Sequence, residues 1–114
     1  MATTNRILAF HTSVDERFAF LAKCGLSLAE RRSVGDRYGA VRFNSPYTDV
    51  AISWDAYDGN LEATINEQDV WDMLVDNGEW RGRGYQGFAV DAMQHGLDRI
   101  AKFLSSRPEL LRTS

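Results

Sequence analysis

Sixteen carboxylates are the richest source of chemistry in this 114-residue chain, and nine of them crowd into one stretch. Asp49, Asp55, Asp58, Glu62, Glu67, Asp69, Asp72, Asp76 and Glu79 lie between Ser45 and Trp80, with no lysine or arginine among them. Residues 1–44 carry seven basic side chains against four acidic ones, and residues 81–114 carry six against three. The formal net charge of −3 therefore hides segments of +3, −9 and +3. Negative charge gathered in this way repels nucleic acid, attracts a basic protein or a cation, and speeds association by steering. A cation is the weaker reading. Asp55-Ala56-Tyr57-Asp58-Gly59-Asn60 sets oxygen ligands around a glycine, but it lacks the alternating ligand series and the distal glutamate of a calcium loop. A hairpin turn accounts for Asp-Gly-Asn without any ion. No metal and no cofactor is expected.

Groups suited to acid–base or nucleophilic work are few. His11 and His95 are the only histidines and Cys24 the only cysteine. Cys24 continues an apolar stripe, the setting of a structural thiol. There is no glycine-rich phosphate loop, no Gly-x-Ser-x-Gly, no His-Glu-x-x-His and no Cys-x-x-Cys, so no catalytic residue is assigned and the chain reads as a non-enzyme. The loop Trp80-Arg81-Gly82-Arg83-Gly84-Tyr85 interleaves aromatics with arginines. Stacking plus charge is how single strands of nucleic acid are held, yet an acidic domain has a poor footprint for them. A tryptophan flanked by arginines also suits the centre of a protein interface.

Helix and sheet must position these groups. Ile7, Phe10, Val14, Phe18, Leu21 and Cys24 recur at spacings of three and four, which predicts one amphipathic helix from about Thr4 to Cys24, ended by Gly25. The period then becomes two. Leu26 and Leu28, Val41 and Phe43, Val50, Ile52 and Trp54, and Leu61, Ala63 and Ile65 each alternate with polar or small residues. Turn residues separate the runs at Gly35-Asp36, Asn44-Ser45-Pro46 and Asp58-Gly59-Asn60. Such short links imply antiparallel neighbours. Alternation puts Asp49, Asp55 and Glu62 on the solvated face, with Asp58 in a turn. Asn66 is the expected cap of a short acidic helix carrying Val70, Met73 and Leu74 inward to Asn77-Gly78. A last helix carries Ala89, Met93, Leu97, Ile100 and Leu104 on one stripe, with Asp91/His95 and Asp98/Lys102 as outer pairs, and ends near Pro108.

The expected fold class is α+β, a four-stranded antiparallel meander with a long N-terminal and a long C-terminal helix covering one face. Length and composition (44% hydrophobic, 25% charged) suit one domain over residues 1–114. The longest apolar run is Phe18–Ala22, far short of the roughly 20 residues of a membrane span. The polar, uncharged start predicts no signal peptide, and a single cysteine suits a cytoplasmic setting.

Several segments, taken together, resemble the small bacterial immunity proteins of polymorphic toxin systems. They are Phe18–Leu26 closing a leading helix, the strands Gly39–Ser45 and Val50–Asp55, and the tail Leu97–Leu104 followed by Leu110-Leu111-Arg112. The resemblance implies a cytoplasmic binding protein without chemistry of its own that blocks a cognate toxin, often a nuclease. Such a toxin is basic around its active site, and carboxylates would match it. Combined with the charge map, this gives a partner-binding set of Asp55, Asp58, Glu62, Asp69, Asp72 and Trp80. It also gives a basic toxin domain as protein partner, with neither nucleic acid nor membrane bound. Two other classes compete. One is a secretion-chaperone-like dimer that holds an unfolded client. The other is a small ligand-binding domain or enzyme with a pocket between sheet and helices.

Overall fold

The fold comes from a computed structural model that describes residues 5–111. Helix α1 (Arg6–Arg17) starts at Asn5, whose side chain accepts hydrogen bonds from the N–H groups of Ile7 and Leu8. It stops at Phe18, and a separate single turn, α2 (Phe20–Lys23), follows before Gly25 at φ +88°. The one helix expected to reach Cys24 is thus two, and Thr4 lies outside the described residues. Phe18, Leu21 and Leu26 are all buried. The kink keeps the apolar stripe on the core while turning the chain toward the sheet.

Strands β1 (Ser27–Val34), β2 (Tyr38–Asn44), β3 (Asp49–Asp55) and β4 (Asn60–Ile65) form the antiparallel meander in chain order. Two short strands extend it, so the sheet has six strands among the described residues. Both β5 (Gln68–Asp69) and β6 (Tyr85–Gln86) pair along the far edge of β4, one at each end. Between β5 and β6 the chain makes helix α3 (Val70–Asp76) and the glycine-punctuated loop. Asn66 is not the cap of α3. With Glu67 it forms the tight β4–β5 turn, both at positive φ, and Asp69 caps the helix by accepting from the N–H groups of Trp71 and Asp72. Helix α4 (Val90–Ser105) runs back over the sheet, and a short 3-10 turn (Pro108–Leu111) ends the described chain.

Helices α1 and α4 cover one face and meet a continuous core. Ile7, Phe10 and Val14 come from α1; Met93, Leu97, Ile100 and Leu104 from α4; Val41, Val50, Ile52, Trp54, Leu61, Ala63 and Ile65 from the strands. Each such large side chain, removed from water, contributes roughly 1.5–3 kcal/mol before entropy is counted. The two buried indoles are also anchored: Trp54 donates to the Gly87 carbonyl at 2.8 Å and Trp71 to the Leu61 carbonyl at 3.0 Å. Strand β1 lies at the margin of this cover, and every one of its residues is exposed. Helix α1 reaches only the other end of this strand, through Arg31 and Ser33, and Leu28, inward by alternation, is left 49% exposed.

Candidate functional site

Among the described residues the opposite face of the sheet carries no helix, and register decides which side chains stand on it. Arg32, Ala40, Ser53 and Glu62 lie in one row across β1 to β4, and Glu30, Arg42, Ala51 and Thr64 in the next. Small residues floor the middle and long charged ones rise at the sides, leaving a shallow trough of about 240 Å³ also walled by Tyr38. With strands about 4.8 Å apart, Arg32 and Glu62 are separated by roughly 14 Å, enough to seat a chain segment of a partner between them.

The meander sets basic strands beside acidic ones, which cancels part of the negative segment. Arg42 faces Asp49 at 3.4 Å and Arg37 faces Asp55 at 3.6 Å. Asp55 also accepts from the N–H groups of Tyr57 and Asp58, so it shapes the β3–β4 turn. The Asp58 N–H, then that of Tyr57 and the Arg37 guanidinium, hold its carboxyl below the ordinary range. Arg37 and Arg6 lie over the exposed Tyr57 ring at 5.3 and 5.7 Å, and Arg6 pairs with Asp36 at 3.2 Å. Glu79 is answered by Arg107 at 3.4 Å. Asp69 is spent on capping α3.

The expected partner-binding set therefore divides. Asp58, Glu62 and Asp72 are exposed and have no basic partner among the described residues, a property they share with Glu67 and Asp76. Asp55 and Asp69 hold local structure. Trp80 is half-buried, not an exposed anchor. Its ring lies 5.1 Å from Trp71 and 5.5 Å from Tyr85, its indole N–H donates to the Gly84 carbonyl at 2.9 Å, and the Arg99 guanidinium sits 5.3 Å over it. Tyr85 stacks on Trp71 at 4.9 Å and donates its hydroxyl to the Ala92 carbonyl. Burial pushes its phenol up, against the opposing pull of Arg99.

Of the groups suited to catalysis, His11 is 6% exposed and its Nε2 is 2.8 Å from the Ser33 hydroxyl. That is nucleophile–base distance, but a working pair needs a third group to orient the imidazole. Its Nδ1 is buried without a hydrogen-bond partner. Burial, helped by Arg31, lowers the imidazole below its ordinary value. The pair ties α1 to the outer strand. His95 is exposed on α4, and Cys24 is half-buried against the core. Among the described residues no group of three or more His, Cys, Asp or Glu is placed to hold a metal, and no helix is long and apolar enough to cross a membrane.

One feature was not legible in the chain order. Asp98 and Lys102, one turn apart on α4, were the expected pair, but Asp98 bonds Arg17 of α1 at 2.6 Å. Lys102 is left beside Arg99, His95 and Trp80 along a surface groove. The one signal in the sequence was the spacing of His95, Arg99 and Lys102 along one side of the helix.

Comparison of the chain with protein-family models, with curated proteins and with solved structures finds no match.

Proposed function

We propose that this chain is an immunity-type binding protein that docks on a basic bacterial toxin domain in the cytoplasm of the producing cell and blocks it. The observation that carries the reading is how the carboxylates sort. Outside the stretch Asp58–Asp76 most acidic residues face an arginine, whereas within it Asp58, Glu62, Glu67, Asp72 and Asp76 have no basic neighbour among the described residues. Exposed ion pairs add little stability, but they cancel the field a partner meets. The five uncancelled charges lie on the β3–β4 turn, β4, the β4–β5 turn and α3, and Glu62 rims the uncovered sheet face. Glu67 adds support. It stands at φ +70° in the two-residue β4–β5 turn, the backbone such a turn requires, and its side chain is exposed there.

The test is capture from the native host with two baits, the wild-type chain and an Asp58→Lys/Glu62→Lys/Asp72→Lys variant, followed by co-expression with whatever is held. A basic protein kept by the wild type, released by salt, lost from the variant and relieved of its toxicity by co-expression supports the reading. Equal retention by both baits, or toxicity left unchanged, overturns it. The small-ligand alternative has the trough in its favour. That trough is smaller than the roughly 300–1,000 Å³ of most ligand sites, and it lies on the open face, not between sheet and helices.

A further inference from the structure

The cations sort as sharply as the carboxylates. Arg6, Arg17, Arg31, Arg32, Arg37, Arg42 and Arg107 each face an acidic group within ion-pair distance. Among the described residues the basic side chains without one are Lys23, Arg81, Arg83, Arg99 and Lys102, and all but Lys23 belong to the 78–85 loop and α4. Arg81, Arg99 and Lys102 line two adjoining surface hollows that share Trp80 and Arg99. The two acidic residues at the same hollows are occupied elsewhere: Asp98 by Arg17 at 2.6 Å, and Glu79 by Arg107 and the Asn77 amide.

We propose that this groove binds a carboxylate-rich segment of a protein partner, a second docking surface of opposite sign to the one on Asp58–Asp76 and independent of it. Arg99 is its centre. Its guanidinium lies 5.3 Å over the Trp80 ring, a cation–π contact that restrains it, and with no acidic partner among the described residues it is available to grip a carboxylate with two parallel hydrogen bonds. Trp80 is itself fixed by the Gly84 carbonyl and by Trp71 and Tyr85, so the fork is pre-organised and loses little freedom on binding. Arg81 and Lys102 flank it and accept further carboxylates along an extended chain. The same stacking argues for an acidic peptide over a nucleic acid. A base needs a bare aromatic face, and here Arg99 covers one face of Trp80 while Trp71 and Tyr85 crowd the ring.

The experiment is titration of the isotope-labelled full chain with capped hexaglutamate at low salt, about 20 mM, where exposed charges are least screened. It follows backbone amides and the Trp80 indole N–H by NMR. The expected result is saturable shifts confined to residues 78–85 and the exposed side of α4. Affinity should fall about tenfold or more in Arg99→Gln/Lys102→Gln and several-fold in Arg99→Lys, which keeps the charge but not the planar fork. Far-UV circular dichroism checks that each variant is folded, and Lys23→Gln serves as the variant expected to bind like wild type. Shifts spread over the arginines of β1 and β2, affinity unchanged in the double variant, no saturable binding, or tighter binding of hexathymidylate at the same groove would each overturn the proposal.

Discussion

Gly96→Ala opposes two effects of known size within α4. Alanine in place of glycine inside a helix contributes about 0.8–1 kcal/mol of helix propensity. At this position, however, α4 lies against β4 and the aromatic rim. An added methyl carbon would meet Leu61 Cδ2 at 2.4 Å and the Tyr85 ring at 2.7 and 2.9 Å. Leu61 is 1% exposed, so its methyl can move aside only by displacing other core side chains. Tyr85 is held by its stack on Trp71 and its bond to Ala92. Overpacking of this kind costs typically 1–3 kcal/mol, and three contacts under 3 Å put it toward the upper end. The net expectation is a loss of about 1–2 kcal/mol, or roughly 5–10 °C in Tm for a domain of this length. Thermal and urea unfolding followed by far-UV circular dichroism measure it. Leu61→Val, which shortens the side chain that clashes, should offset part of the loss, so the double variant should be about 1 kcal/mol more stable than the two single losses summed. A Gly96→Ala protein as stable as wild type, or more so, would refute the reasoning. It would mean that Leu61 and Tyr85 yield and propensity wins.

Two further outcomes follow from the burial of His11 and the capping of α3. His11, lowered mainly by burial, stays neutral in the folded chain after the unfolded chain has begun to take up a proton. Stability should therefore fall as pH drops below the ordinary imidazole value of about 6.5, by at most about 1.4 kcal/mol per pH unit, until the folded-state value is passed. Urea midpoints from about pH 7.5 to about pH 5 should fall for the wild type and flatten in His11→Gln; parallel curves would exclude His11 as the cause. Asp69→Ala removes the acceptor for the Trp71 and Asp72 N–H groups and should cost about 1 kcal/mol of stability. It should slow capture of a basic partner far less than Glu62→Lys does; an equal effect would return Asp69 to the docking set.

The order of elements was written in the chain because periodicity is local. Spacings of three and four announced α1 and α4, alternation announced β1 to β4, and Asn77-Gly78 marked the end of α3. Those signals give an α+β chain with one buried sheet face and one solvated face. They do not say how far the cover extends, and so Leu28, in phase with an inward strand, ends exposed while α1 meets the same strand only at its other end, through Arg31 and Ser33. The break after Arg17 was hidden because Phe18 and Leu21 keep the phase of the stripe across it. β5 and β6 are two residues each, too short for any pattern, and exist only because β4 offers a free edge.

Charge divides along the same line. The sequence alone determined that acidic groups crowd between residues 45 and 80 and basic ones before and after. Which of them a partner would feel was decided by register and by helix packing. The meander sets Arg37 and Arg42 beside Asp55 and Asp49, α1 brings Arg17 to Asp98, and Glu79 meets Arg107 from the far end of the chain. An ion pair depends on distances of a few ångströms between residues far apart in sequence, and only the tertiary structure sets them. What it leaves uncancelled is two surfaces of opposite sign, carboxylates from Asp58 to Asp76 and cations from Arg81 to Lys102.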